Sequence, residues 1–169
     1  AGSGSEAAAF SFYPSKNLGA YGDGGCVVTS SRQVYERVRS LRDYGYVGRD
    51  RSVELGLNSR LDPMQAAILR AKLPHVDEWN QRRREISDRY RSALGGIGVR
   101  VPAIPDYIDH ANHLFIMMSP ERDHFRSRLD QLGVQTGIHY PLPLHMQPAL
   151  SHLGYSVGDF PNAEKACSQ

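Results

Sequence analysis

FSFYPSKNLGAYGDGG, Phe10–Gly25, sets one of only three lysines in the 169-residue chain between a strand-like run and a cluster of glycines. Phe10 to Tyr13 alternate with Ser11 and read as a short strand. Gly25–Thr29, GCVVT, is rich in β-formers and reads as a second strand, apolar enough to be covered on both faces. Lys16 therefore falls on the connection between two strands. Gly19, Gly22, Gly24 and Gly25 follow it, and so many glycines in so short a span let the backbone turn tightly and approach something closely, at an entropic cost that a mere surface loop need not bear. A phosphate loop of the GxxxxGK[ST] type is excluded, because here the glycines come after the lysine. On spacing alone Lys16 reads as a solvated charge. With the glycines counted, it reads as an amine of the kind that condenses with a carbonyl when shielded from water.

Working outward, Ser11 is either a small polar residue tolerated in a strand or a hydroxyl placed at the strand end to meet a phosphate. Ser31 is a candidate N-cap, and Val34, Val38 and Leu41 recur at helical spacing until Gly45. GYVGRDRSVELGLNSRL, residues 45–61, has no period and reads as an extended loop. Asp62 caps a second helix with Pro63 at its first position and Met64, Ile68 and Leu69 as its apolar stripe, ending before Pro74. Asn58 and Arg60 precede that helix. They read as turn chemistry and a solvated charge, or else as an amide and a guanidinium that face an anion together with the helix N-terminus.

Val76, Trp79, Ile86, Tyr90 and Leu94 mark one face of a long helix, with QRRRE on the other, so Arg82–Arg84 reads as a solvated face. Beyond it the units shorten: IGVRVP, the run HLFIMMS, a helix over ERDHFRSRLDQL and a strand over VQTGIHY, residues 134–140. That order predicts a small α+β domain. GIHYPLPLHMQP, residues 137–148, presents His139, Tyr140 and His145 to a cleft among three prolines. Two histidines six apart with no third ligand nearby argue against a metal.

The charge balance, 17 Arg and 3 Lys against 18 acidic groups, leaves +2 and disfavours a polyanionic partner such as nucleic acid. Cys26 and Cys167 are too few and too far apart for a disulfide framework, which points to a reducing compartment and the cytoplasm. No membrane association is expected, AGSGSEAAAF lacks the regions of a secretory signal, and both ends of the chain read as cut.

Three blocks, FSFYPSKNLGAYGDGG, GLNSRLDPMQAAIL and GIHYPLPLHMQPA, together resemble in order and spacing the DegT/StrS family of pyridoxal-phosphate-dependent nucleotide-sugar aminotransferases. The resemblance implies an α/β fold, with residues 1–75 finishing the large cofactor-binding domain of a fold-type-I enzyme. Residues 76–95 would be the connecting helix and 96–169 a small α+β C-terminal domain. It implies that Lys16 forms the Schiff base with pyridoxal 5′-phosphate and moves protons at the reacting carbon. Ser11 would bind the cofactor phosphate, and Asn58 the phosphate in the neighbouring subunit of a homodimer with shared active sites. Arg60, His139 and Tyr140 would lie near the sugar. The implied reaction aminates a keto group, at C3 by the wording of the third block, on a nucleotide-linked hexose with glutamate as donor. The rival expectation is an inactive or regulatory homologue, and a third is a phosphate-binding module without covalent chemistry.

Overall fold

The computed structural model describes residues 4–169. Strand β1, Ala7–Ser11, pairs antiparallel with β2, Gly25–Thr29, from Ala7 opposite Thr29 to Ser11 opposite Gly25. β1 begins earlier than the alternation of Phe10–Tyr13 suggests, because Ala7–Ala9 find Thr29, Val28 and Val27 across the ladder. The expectation that β2 is covered on both faces is corrected: Val27 and Val28 are 43% and 45% exposed. Among the described residues this ribbon has two strands, so neither face is roofed by further sheet.

Local chemistry places the helices that follow. Helix α1, Arg32–Leu41, is capped by Ser31, whose Oγ accepts from Val34 N at 3.3 Å. Helix α2, Pro63–Lys72, is capped by Asp62, whose Oδ1 accepts from Met64 N at 2.7 Å, with Pro63 where its missing N–H costs nothing. Helix α3 runs Val76–Leu94, α4 Arg122–Gln131 and α5 Pro161–Ser168. The chain divides into two units, one of residues up to Glu85 with Ala111–His113, the other of Ile86–His110 with Leu114–Gln169. No described helix is long and apolar enough to cross a membrane.

Between α1 and α2 the chain turns back sharply. Leu57 N donates to Leu41 O, Ser59 N to Arg42 O and Tyr44 N to Leu57 O. Tyr44 and Gly45 both have positive φ, +58° and +72°, and a Cβ on Gly45 would stand 1.8 Å from Glu54 O.

The second unit differs from its sequence reading. Among the described residues it contains no strand. Arg100 and Met118 exchange one pair of backbone hydrogen bonds, and residues 134–140 form no ladder, because a strand requires a partner strand and none stands beside that segment among the described residues. Helix α4 is where the pattern puts it. Helix α5 is anchored by Glu164, whose Oε1 accepts from Gly158 N (2.9 Å) and Phe160 N (3.4 Å) and meets His145 Nε2 at 3.1 Å. These N–H groups, Gly158 first, and the His145 ring hold the Glu164 carboxyl below its ordinary range.

Two outcomes follow for the full-length protein. Gly48 has φ +80° but open space around it, so Gly48→Ala should cost about 1–2 kcal/mol. Gly45→Ala adds a backbone clash of about 1–3 kcal/mol. Urea unfolding midpoints that fall equally in the two variants would contradict this. For Glu164 the folded pKa is depressed, so its stabilisation is present above the unfolded value, about 4.3, and is lost as pH falls through the folded value. The stability gap between the protein and Glu164→Gln should hold steady above about pH 5 and shrink on acidification; a gap that widens in acid would refute the assignment.

Candidate active site

Lys16 owes its place to a loop closed at its base. Phe12 N donates to Gly24 O at 2.7 Å and Ala20 N donates to Phe12 O at 2.8 Å, so the ladder of β1 and β2 continues one step and then pinches the connection. Inside it, Lys16 N donates to Tyr13 O at 2.8 Å and makes a tight turn. Gly19 lies against that turn, where a Cβ would stand 2.4 Å from Pro14 O. The close approach expected of the glycines is thus an approach to the loop's own backbone. Helix α2 secures the far side: Lys72 Nζ donates to Gly19 O at 2.7 Å and sits 4.4 Å from the Tyr21 ring centroid, while Gln65 Oε1 accepts from Tyr21 N at 2.7 Å. Gln65 and Lys72 are seven apart, on one face of α2.

The Lys16 side chain is half-buried and its Nζ lies 3.4 Å from His113 Nε2. The segment carrying that histidine is tied to the first unit by side chains. Asn17 Nδ2 donates to Ala111 O at 2.8 Å and to Asn80 Oδ1 at 2.7 Å, and Arg83 Nη1 donates to Asn112 O and His113 O at 3.4 and 3.3 Å. Asn80 and Arg83 are three apart and share a face of α3. Arg83 corrects the reading of Arg82–Arg84 as a wholly solvated face: it is half-buried, with its donors on two backbone carbonyls, and Arg84, which donates to Gln81, is half-buried too, whereas Arg82 pairs with Glu85 at the surface. Neither His113 nor Asn17, Asn80 or Arg83 stands out in the sequence. The available signal was the spacing of Asn80 and Arg83 on one face of an otherwise charged helix.

Ser11 and Lys16 are joined through Tyr13. Ser11 Oγ accepts from Tyr13 N at 3.3 Å and keeps its own hydroxyl proton for another acceptor, and Tyr13 O holds Lys16 N. Asn58 and Arg60 both meet Asp43. Asn58 does so as its bridge partner, and Arg60 through Nη1 to Oδ1 at 3.0 Å, its guanidinium 5.5 Å from the Tyr44 ring centroid. The Asn58 side chain is exposed. His139 and Tyr140 belong to the second unit, where their rings stand 4.2 Å apart and line a cavity of about 480 Å³ with Phe115, Phe125, Leu129 and Thr136. His145, expected to face a cleft beside them, instead has a buried ring on Glu164, which already holds two backbone N–H groups at the start of α5.

The donor set fits an aldehyde-bearing phosphate. A half-buried primary amine with an imidazole beside it suits the aldehyde, and the Ser11 hydroxyl at the strand end suits the phosphate. Asn17 Oδ1, one residue from Lys16, is buried and takes no hydrogen bond among the described residues.

A model of the DegT/DnrJ/EryC1/StrS aminotransferase family matches residues 1–169. The chain is 47% identical over 169 residues to the erythromycin biosynthesis sensory transduction protein EryC1 of Saccharopolyspora erythraea, covering 99% of this chain and 46% of that protein. It is 46% identical over 169 residues to the dTDP-3-amino-3,4,6-trideoxy-alpha-D-glucose transaminase of Streptomyces venezuelae, covering 99% and 45%. The crystal structure of DesV from S. venezuelae in complex with a ketimine intermediate superposes with a TM-score of 0.94 at 45% identity, covering 100% of this chain and 46% of that one. The chain spans a little under half the length of these relatives.

Proposed function

Since the chain belongs to the DegT/DnrJ/EryC1/StrS aminotransferase family, whose members use pyridoxal phosphate, we propose that the protein carrying it transfers an amino group to a keto carbon of a nucleotide-linked hexose in amino-sugar biosynthesis. The observation that carries this reading is the half-buried Lys16 amine on a pinched, glycine-rich connection, with an imidazole 3.4 Å away. Amination at C3 is supported by the name of the Streptomyces venezuelae relative, a 3-amino sugar transaminase. Glutamate is the proposed donor.

When bound, the cofactor supplies an aldehyde that condenses with amines and an electron sink next to the reacting carbon. Lys16 would hold the cofactor at its aldehyde carbon and would carry a proton to and from the substrate carbon, one group serving both halves of the transfer. Ser11 donates its hydroxyl proton to the cofactor phosphate. Asn58, exposed and held out by the Asp43 bridge, reaches the phosphate of a neighbouring subunit in a homodimer with shared sites. Arg60, oriented by Asp43, and His139 with Tyr140 face the sugar nucleotide. In this reading residues 1–75 finish the large cofactor-binding domain, 76–95 form the connecting helix and 96–169 a small C-terminal domain. The compartment is the cytoplasm.

A second reading, a non-catalytic regulatory homologue, draws support from the name of the Saccharopolyspora erythraea relative, a sensory transduction protein. Borohydride treatment of the full-length protein with pyridoxal phosphate separates the two. The enzyme reading expects a stable adduct on the Lys16 peptide, its loss in Lys16→Ala, and at least about a hundredfold slower amino transfer in that variant. Adduct on Lys72 or Lys165 instead, or an unaffected rate in Lys16→Ala, would sink it.

A further inference from the structure

Resting on the proposed chemistry at Lys16, we infer that His113 is the positioning residue for that amine: its Nε2 accepts the hydrogen bond that holds Lys16 Nζ in place.

The contact itself, 3.4 Å, is of the length that hydrogen bonds in a site show before a reactant arrives. The way the imidazole is delivered carries the inference further. His113 is ninety-seven residues from Lys16 in the chain, yet every residue of Ala111–His113 has its carbonyl held by a side chain of the same unit: Ala111 by Asn17, Asn112 and His113 by Arg83. Asn17 is also the residue next to Lys16, so the backbones carrying amine and imidazole are fastened to each other. Asn112, between Ala111 and His113 in the chain, is buried at 9% exposure and in the left-handed region at φ +45°. A non-glycine residue keeps that conformation only where its surroundings determine it, and such residues gather at functional sites. A segment that merely covered α3 would need neither the tie to Asn17 nor a ring aimed at the lysine.

The test compares acetylation of Lys16 with that of exposed Lys165 in the same full-length protein, stripped of carbonyl ligands with hydroxylamine and read by peptide mass spectrometry. In His113→Leu the Lys16:Lys165 ratio should fall about fivefold, the worth of one hydrogen bond to the amine. In His113→Gln, whose amide oxygen can accept in place of the ring, it should return to within about twofold of the original. Should the leucine variant not fold, His113→Asn, whose amide is too short to reach, takes its place with the same expected fall. A ratio that stays level or rises in the leucine or asparagine variant overturns the inference, as does a glutamine variant as low as leucine. Borohydride trapping on the unsubstituted protein is read separately. Absence of adduct there defeats the proposed enzyme activity, while the acetylation ratio still decides what His113 does.

Discussion

Phe12 spends both of its backbone polar groups on the loop that follows it, donating to Gly24 O and accepting from Ala20 N. The rest of the site depends on this pinch. A lysine has four rotatable bonds and a strong preference for water, so placing its amine requires first fixing its Cα. The pinch fixes one end of the connection, the Tyr13–Lys16 turn fixes the middle, and α2 fixes the return through Lys72 and Gln65. Gly19 is what allows these three to coexist, since any side chain there would collide with the Pro14 carbonyl.

The same economy recurs where Ala111–His113 meets α3. Polar side chains holding its carbonyls tie that segment in place. Such contacts are directional, and each lost partner leaves a shielded carbonyl without a donor, so they specify one arrangement more sharply than apolar burial would. The apolar core is thin by comparison. Ala20 and Leu69 are the buried apolar residues among those described, and Ala20 is the residue that closes the Lys16 loop.

What was legible in the sequence is what local chemistry decides. Ser31 and Asp62 cap α1 and α2 where their side chains say they should, and α3 runs the length of its apolar stripe. The tight connection that carries Lys16 was legible because its glycines are its neighbours. What was illegible lies far away along the chain. The histidine beside that amine arrives from a segment that reads only as the start of an apolar run, and Arg83 looks like the arginines on either side of it until a carbonyl is found in front of it. Residues 134–140 have strand-like composition, but a strand exists only through a partner, which composition cannot supply. His145 failed as a cleft residue for the same reason: its fate was decided by Glu164, nineteen residues on.

The clasp between α2 and the glycine loop has a consequence for how this chain can vary in length. Each residue inserted into or deleted from a helix turns everything beyond it by about 100°. Gln65 and Lys72 grip the loop from the two ends of α2, so a single deletion between them would swing Lys72 off Gly19 and leave Gln65 in place. The tip at residues 47–51, outside these contacts, carries no such restriction. Insertions and deletions among natural variants of this chain should therefore accumulate at that tip and be absent from the seven-residue step between the two grips.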